Sequence, residues 1–168
     1  MLQALQSALI IVFISFSSAA MAGDIEDHAA LASAFEHVKG TLENGLKASE
    51  RVGKPISAKF SVENGTLQLS IWVASNDGFA EFLLYPAIRM VTETLEVTDP
   101  QKLEVATAQK LAMDKATVSL LSATENAVKA NDGFRAVSVY PMLEEGDPIA
   151  VVTLLGADAF KIVTEKLD

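Results

Sequence analysis

The chain changes rhythm between apolar and polar residues several times. Between Ile56 and Val62 the residues alternate, with Ile56, Ala58, Phe60 and Val62 on one side. Leu67, Leu69, Ile71 and Val73 then alternate with Gln68, Ser70 and Trp72. A period of two predicts two strands. Asn64-Gly65 between them predicts a tight hairpin, since both residues tolerate positive φ. Asn76-Asp77-Gly78 supplies the next turn, and Phe79–Tyr85 a third strand that Pro86 ends or places at a sheet edge. Ile88 to Val97 fits a fourth strand, an irregular return or a short helix.

Other stretches step at helical spacing. Leu31, Phe35, Val38, Leu42 and Leu46 line one face of a helix expected from Asp24 to Arg51, with Asp24 or Asp27 capping its start. Gly40 and Gly45 each cost a helix about 1 kcal/mol relative to alanine, so a kink or break is expected near Gly40. Gly53 and Pro55 end the helix. Asp99-Pro100 is a helix start, a capping carboxylate followed by a proline whose missing N–H is harmless there. That helix, with Leu103, Ala106 and Leu111, runs to about Lys115. Thr117 or Ser119 caps a restart whose inner face is Leu120, Thr124, Ala127 and Val128, and Asn131-Asp132-Gly133 closes it. Strands are then expected at Arg135–Leu143, Ile149–Leu155 and Asp158–Glu165, with turns at 144–148 and 156–158.

Helix, strand, strand, strand thus occurs twice. Gly53 answers to Gly133, Gly65 to Gly146 and Phe82 to Phe160, at offsets of 80, 81 and 78 residues. A rival register matches Val91-Thr92-Glu93 with Val163-Thr164-Glu165 at an offset of 72, and needs an insertion in the first half. The expected fold class is α+β: two tandem helix-plus-antiparallel-sheet (α-β-β-β) units packed together. Their limits are 23–97 and 117–168, joined by a helical linker at 98–116.

The N-terminus adds a location. The apolar run Leu9–Phe16 is followed by SSAAMAGD, in which Ala20 and Ala22 form the small-x-small pattern of a signal-peptidase site. The run is short for a membrane span and no basic stop follows it, although the stretch before it lacks Lys and Arg. Residues 1–22 are therefore expected to be an export signal cleaved after Ala22, leaving a periplasmic or secreted chain without a transmembrane span. An uncleaved anchor and a buried helix are the other readings.

Composition narrows the partners. The net charge is −9, and the 13 basic residues are scattered singly. Nucleic acid and anionic lipid are disfavoured as partners, because phosphate recognition needs clustered Lys and Arg. With no cysteine there is no disulfide framework, thiol nucleophile or CxxC pair. Two small units without such staples must bury surface against each other.

The stretches SLLSATENAV, GFRAVSVY, PIAVVTLL and ADAFKIV in the second half resemble the PepSY domain. The segment TDPQKLEVATAQKLAMDKA resembles the spacer of small exported bacterial proteins that carry two such domains. The match covers about fifty residues well and the first half more loosely. The chain departs from the family where a third-strand Val-Asp and a Gly turn are usual: Tyr85-Pro86 and Val163-Thr164 stand there. The resemblance implies a helix laid on a small antiparallel sheet and a non-catalytic role, such as restraining a protease or binding another ligand.

Candidate chemistry is sparse. His28 and His37 are the two imidazoles, nine residues apart on the first expected helix. With Asp24, Glu26 and Asp27 they offer a loose metal site near the N-terminus, whose plainer reading is a solvated helix start suited to the dipole. No catalytic or phosphate-binding motif is present, so no enzyme, cofactor or metal is expected. Trp72 points away from the aliphatic side of its strand. It is either an interface anchor or packed against the second unit or the Asp99–Lys115 helix. Phe82 and Tyr85 carry the same two readings. The expected function is binding or regulation of a protein or peptide, with a protease as one candidate, through an aromatic face or a sheet edge. The alternatives are an envelope carrier or sensor of a small molecule or metal, and a structural envelope protein.

Overall fold

Residues 28–36, 38–86 and 90–168 are described by the computed structural model. The expected leader, Asp24, Glu26, Asp27 and His37 lie outside the described residues. Among these residues are four helices, α1 (His28–Phe35), α2 (Leu42–Ser49), α3 (Pro100–Lys115) and α4 (Leu120–Lys129). The strands are β1 (Lys54–Glu63), β2 (Thr66–Ser75), β3 (Gly78–Tyr85), β4 (Met90–Glu96), β5 (Arg135–Glu144), β6 (Asp147–Leu155) and β7 (Phe160–Lys166). The segment left open between Pro86 and Val97 contains a strand, β4.

Local chemistry accounts for the helix limits. The long first helix is divided, and α2 restarts from Thr41, whose hydroxyl accepts from the Asn44 N–H at 3.2 Å. Asp99 caps α3 through the Lys102 N–H at 3.0 Å, with Pro100 in the first turn. Of the two candidates for α4, Ser119 is the cap, accepting from the Ser122 N–H at 3.1 Å. Such caps satisfy backbone donors that the first helical turn leaves without partners.

The strands form one antiparallel sheet in the order β4-β3-β2-β1-β5-β6-β7. The hairpins β1–β2 and β5–β6 both turn on two residues at positive φ: Asn64 and Gly65 at 50° and 75°, Glu145 and Gly146 at 53° and 98°. The broader turn expected at 144–148 is thus a two-residue turn with a glutamate in a left-handed conformation. Register follows one rule in both halves. Ala58 pairs with Ile71 and Val139 with Val152; Ile71 pairs with Phe82 and Val152 with Val163. Every offset is 81. The irregularities at Pro55/Ser57 and Ala136/Ser138 obey it too. At the centre Ala58 pairs with Val139 itself, the position 81 residues on. Of the expected correspondences Gly65 to Gly146 keeps this offset and Gly53 to Gly133 misses it by one residue, while the ladder places Phe82 level with Val163 and Phe160 level with Phe79. Val91–Glu93 lies in β4, outside this correspondence.

One sheet face carries α1, α2 and α4. Phe35 meets Phe60 edge-on at a centroid distance of 4.9 Å. Gly45 lets α2 settle on Leu69 and Ile71, since a Cβ there would lie 2.4 and 2.9 Å from their methyl carbons. Leu42, Leu46, Phe60, Ile71, Leu120, Val139, Val152 and Leu154 form a contiguous buried core. Burial of an aliphatic or phenyl side chain contributes about 1.5–3 kcal/mol. Helix α3 crosses the opposite face, where it lies against β1, β2, β5 and β6. Its buried residues are Ala106, Gln109, Ala112 and Met113, whereas Leu111 points to solvent at 53% exposure.

Candidate functional site

Alternation along β2 and β3 assigns the candidate aromatics to faces. Trp72 sits opposite Glu81, and Glu81 opposite Leu95 of β4. These three share the face crossed by α3. Tyr85 has the same parity as Glu81 and lies on that face, farther along the strand, where its hydroxyl is 3.4 Å from Gln68 Nε2. Phe82 has the other parity. It pairs with Ile71 and packs at the rim of the helix-side core. The structure therefore brings Trp72 and Tyr85 to one face and puts Phe82 on the other.

Around Trp72 the polar groups are interlocked. Ser70 Oγ donates to Glu81 Oε1 at 2.6 Å, and Lys102 Nζ reaches Glu81 Oε2 at 3.4 Å. The same ammonium lies 5.8 Å from the centre of the Trp72 ring, within cation–π range. Lys102 is two residues into α3, so the helix start clamps the indole against a carboxylate on the neighbouring strand. Trp72 remains half-buried, and Leu95 beside Glu81 is 39% exposed. The result is an indole and an aliphatic side chain on either side of an ion pair, next to the outer strand β4. Apolar and charged side chains thus share this face, as they do in docking surfaces.

Helix α3 holds its place at one end of this face. Lys54 Nζ donates to the Met113 carbonyl, and Lys115 Nζ to the Gly146 carbonyl at 3.1 Å. Between the end of α2, the start of β1, α3 and α4 is an open cleft of about 370 Å³, lined by Glu50, Lys54, Met113, Ser119 and Leu120. Two of its polar side chains are engaged in structure, Lys54 with Met113 and Ser119 as the cap of α4.

The imidazole that the structure describes is packed. His28 Nε2 donates to the Gly156 carbonyl at 3.1 Å, and its ring meets Phe160 edge-on at 5.2 Å. Among the described residues no group of three His, Asp or Glu side chains is placed to hold a metal, and no helix is long and apolar enough to cross a membrane. Arg135 was not singled out by sequence pattern, yet it joins distant parts. Its guanidinium stacks 3.9 Å from the centre of Phe35 and donates to the Gly40 carbonyl at 3.3 Å. Burial lowers its pKa, partly offset by the charge of Glu43.

No protein-family model matches the chain, and no curated protein matches it. Among solved structures it is similar to a crystal structure described as that of a "putative lipoprotein" from Clostridium difficile 630, with 13% identity and a TM-score of 0.31. That comparison covers 73% of this chain and 89% of the other.

Proposed function

We propose that this chain is a non-catalytic, exported binding protein of two PepSY-like units that engages another protein or peptide in the cell envelope. The units are residues 23–97 and 117–168, with 98–116 as the linker, and residues 1–22 are the export signal cleaved after Ala22. The uniform 81-residue offset, including the repeated strand irregularity, supports the two-unit reading. The observation that carries the binding reading is the half-buried Trp72, with Lys102 over its ring and the exposed Leu95 beyond Glu81 on an outer strand. Tyr85 extends this surface, and Phe82 supports it from the core side. The partner lays an apolar side chain on Trp72 and Leu95. An extended segment of it pairs with β4, where backbone bonds give affinity and side chains give specificity. A protease or its precursor is the partner class that the PepSY resemblance favours.

The test is in-cell cross-linking and capture with the full coding sequence, comparing wild type with Leu95→Arg and Val52→Arg. Val52 is also exposed, at 54%, but lies in the connection between α2 and β1. A partner lost with Leu95→Arg and kept with Val52→Arg is the expected result. A partner kept by both variants removes this face from the proposal, and no specific protein captured by the wild type removes the binding reading.

A further inference from the structure

The two halves of the sheet end differently. The outer side of β3 is covered by β4, beginning with the Val97 N–H bonded to the Phe79 carbonyl at 3.0 Å. The 81-residue offset places β7 where β3 stands in the first half. Yet the sheet ends at β7, with no strand among the described residues on its outer side. Two bonds fix the phase of that edge. The Gly156 N–H donates to the Ala159 carbonyl and the Leu167 N–H to the Pro148 carbonyl, both at 3.0 Å. In an antiparallel ladder inward and outward backbone pairs alternate. Residues 161, 163 and 165 therefore turn their backbone groups to β6, while Ile162 and Thr164 turn theirs outward. Edge strands are commonly blunted by proline, bulges or inward charges. β7 has no proline, pairs with β6 without a bulge and exposes Ile162 at 62%; its charges are Lys161, Glu165 and Lys166, the first two on the side of Val163.

We infer that β7 pairs antiparallel with β7 of a second copy of this chain, centred on Val163. The charges on the strand select that register. With Val163 opposite its own symmetry mate, Lys161 faces Glu165 of the other copy, and the two-fold axis repeats the pair. Ile162 and Thr164, the residues with outward backbone groups, then face each other across the ladder. Moving the centre to residue 162 or 164 sets Lys161 opposite residue 163 or 167 and loses both ion pairs. Lys161 Nζ bonds Asn131 Oδ1 at 2.5 Å within its own chain. An ammonium carries three donors, so that bond and the pair with Glu165 are compatible. An isologous contact of this kind closes as a dimer and does not propagate, giving a continuous sheet through two copies. It leaves the Trp72 face untouched, so it stands apart from the proposed function.

Sedimentation velocity on the protein expressed from its full coding sequence and purified after native processing tests the inference. The wild type should sediment with twice the single-chain mass. Lys161→Glu and Glu165→Lys each place like charges opposite one another twice per interface, and each should shift the protein to the single-chain mass. The double exchange, Lys161→Glu with Glu165→Lys, restores both pairs with reversed sign and should restore the dimer. Unchanged circular dichroism and unfolding midpoint separate loss of pairing from loss of folding. A wild type that stays at single-chain mass into the hundred-micromolar range would overturn the inference. So would single variants that remain dimeric, or a folded double variant that stays monomeric.

Discussion

Gly45→Ala sets two effects of similar size against each other. Inside a helix alanine is better than glycine by about 1 kcal/mol, so on propensity alone the change should stabilise α2. The new methyl would stand 2.4 Å from Leu69 Cδ2 and 2.9 Å from Ile71 Cδ1, where carbon atoms normally rest at about 3.5–4.0 Å. Leu69 and Ile71 are 3% and 0% exposed, so neither can swing into solvent, and the helix must lift from the sheet. Overpacking of a filled core costs about 1–3 kcal/mol, and with two atoms in the way the upper part of that range applies. The net expectation is a loss of about 1–2 kcal/mol, the helix gain included. With a urea slope of about 1–3 kcal/mol/M for a small protein, the midpoint should fall by roughly 0.3–2 M. Asn44→Ala, one residue earlier and exposed, is the control and should stay within about 0.5 kcal/mol of wild type. Leu69→Ala alone should cost about 2–5 kcal/mol, and adding Gly45→Ala should then cost less than the two separate losses combined, because the methyl enters the space vacated. If Gly45→Ala alone raises stability by about 1 kcal/mol, α2 does not seat on β2 at this distance and the packing described for the first half is wrong.

Three further outcomes are accessible to the same unfolding assay. Thr41→Ala and Ser119→Ala each remove a helix cap and should each cost about 0.5–2 kcal/mol, additively, since the two caps share no hydrogen bond. Glu145 holds a left-handed φ of 53° where its counterpart is Asn64. Glu145→Asn should therefore gain about 0.5–1 kcal/mol, part of the strain a non-glycine residue carries there, and no gain would argue against a two-residue turn. Arg135→Ala strips the Gly40 carbonyl of a donor and uncovers Phe35. It should cost about 1–3 kcal/mol and raise proteolysis between α1 and α2.

The strands were legible because apolar and polar residues alternate along the middle of β1 and β2, and because Asn64-Gly65 marks its turn without tertiary context. Gly45 was legible as a helix weakness, but its reason was not: the close approach to Leu69 and Ile71 exists only once the sheet is assembled. Glu145-Gly146 read as a broader turn because glutamate seldom adopts positive φ, and the partner strands hold it there. Residues 88–97 stayed ambiguous since an outer strand needs no alternating apolar face. Phe82 and Tyr85 are three residues apart on a strand, so their opposite faces were in principle readable. Which of them joins Trp72 depends on the β2–β3 register. Matching Phe82 to Phe160 followed residue identity, whereas the ladder matches Phe79 to Phe160. Lys102 at Trp72 and Arg135 at Phe35 arise from contacts across 30 and 100 residues of chain, which no local pattern encodes.

The most direct test of the binding proposal is hydrogen exchange of the protein alone and with its captured partner. Added protection confined to residues 79–85 and 93–96, on β3 and β4, is the predicted result, because the Trp72–Leu95 face and the β4 edge would be covered. Protection at residues 50–55 and 119–121 instead, around the cleft between α2, α3 and α4, would contradict it and move the site there.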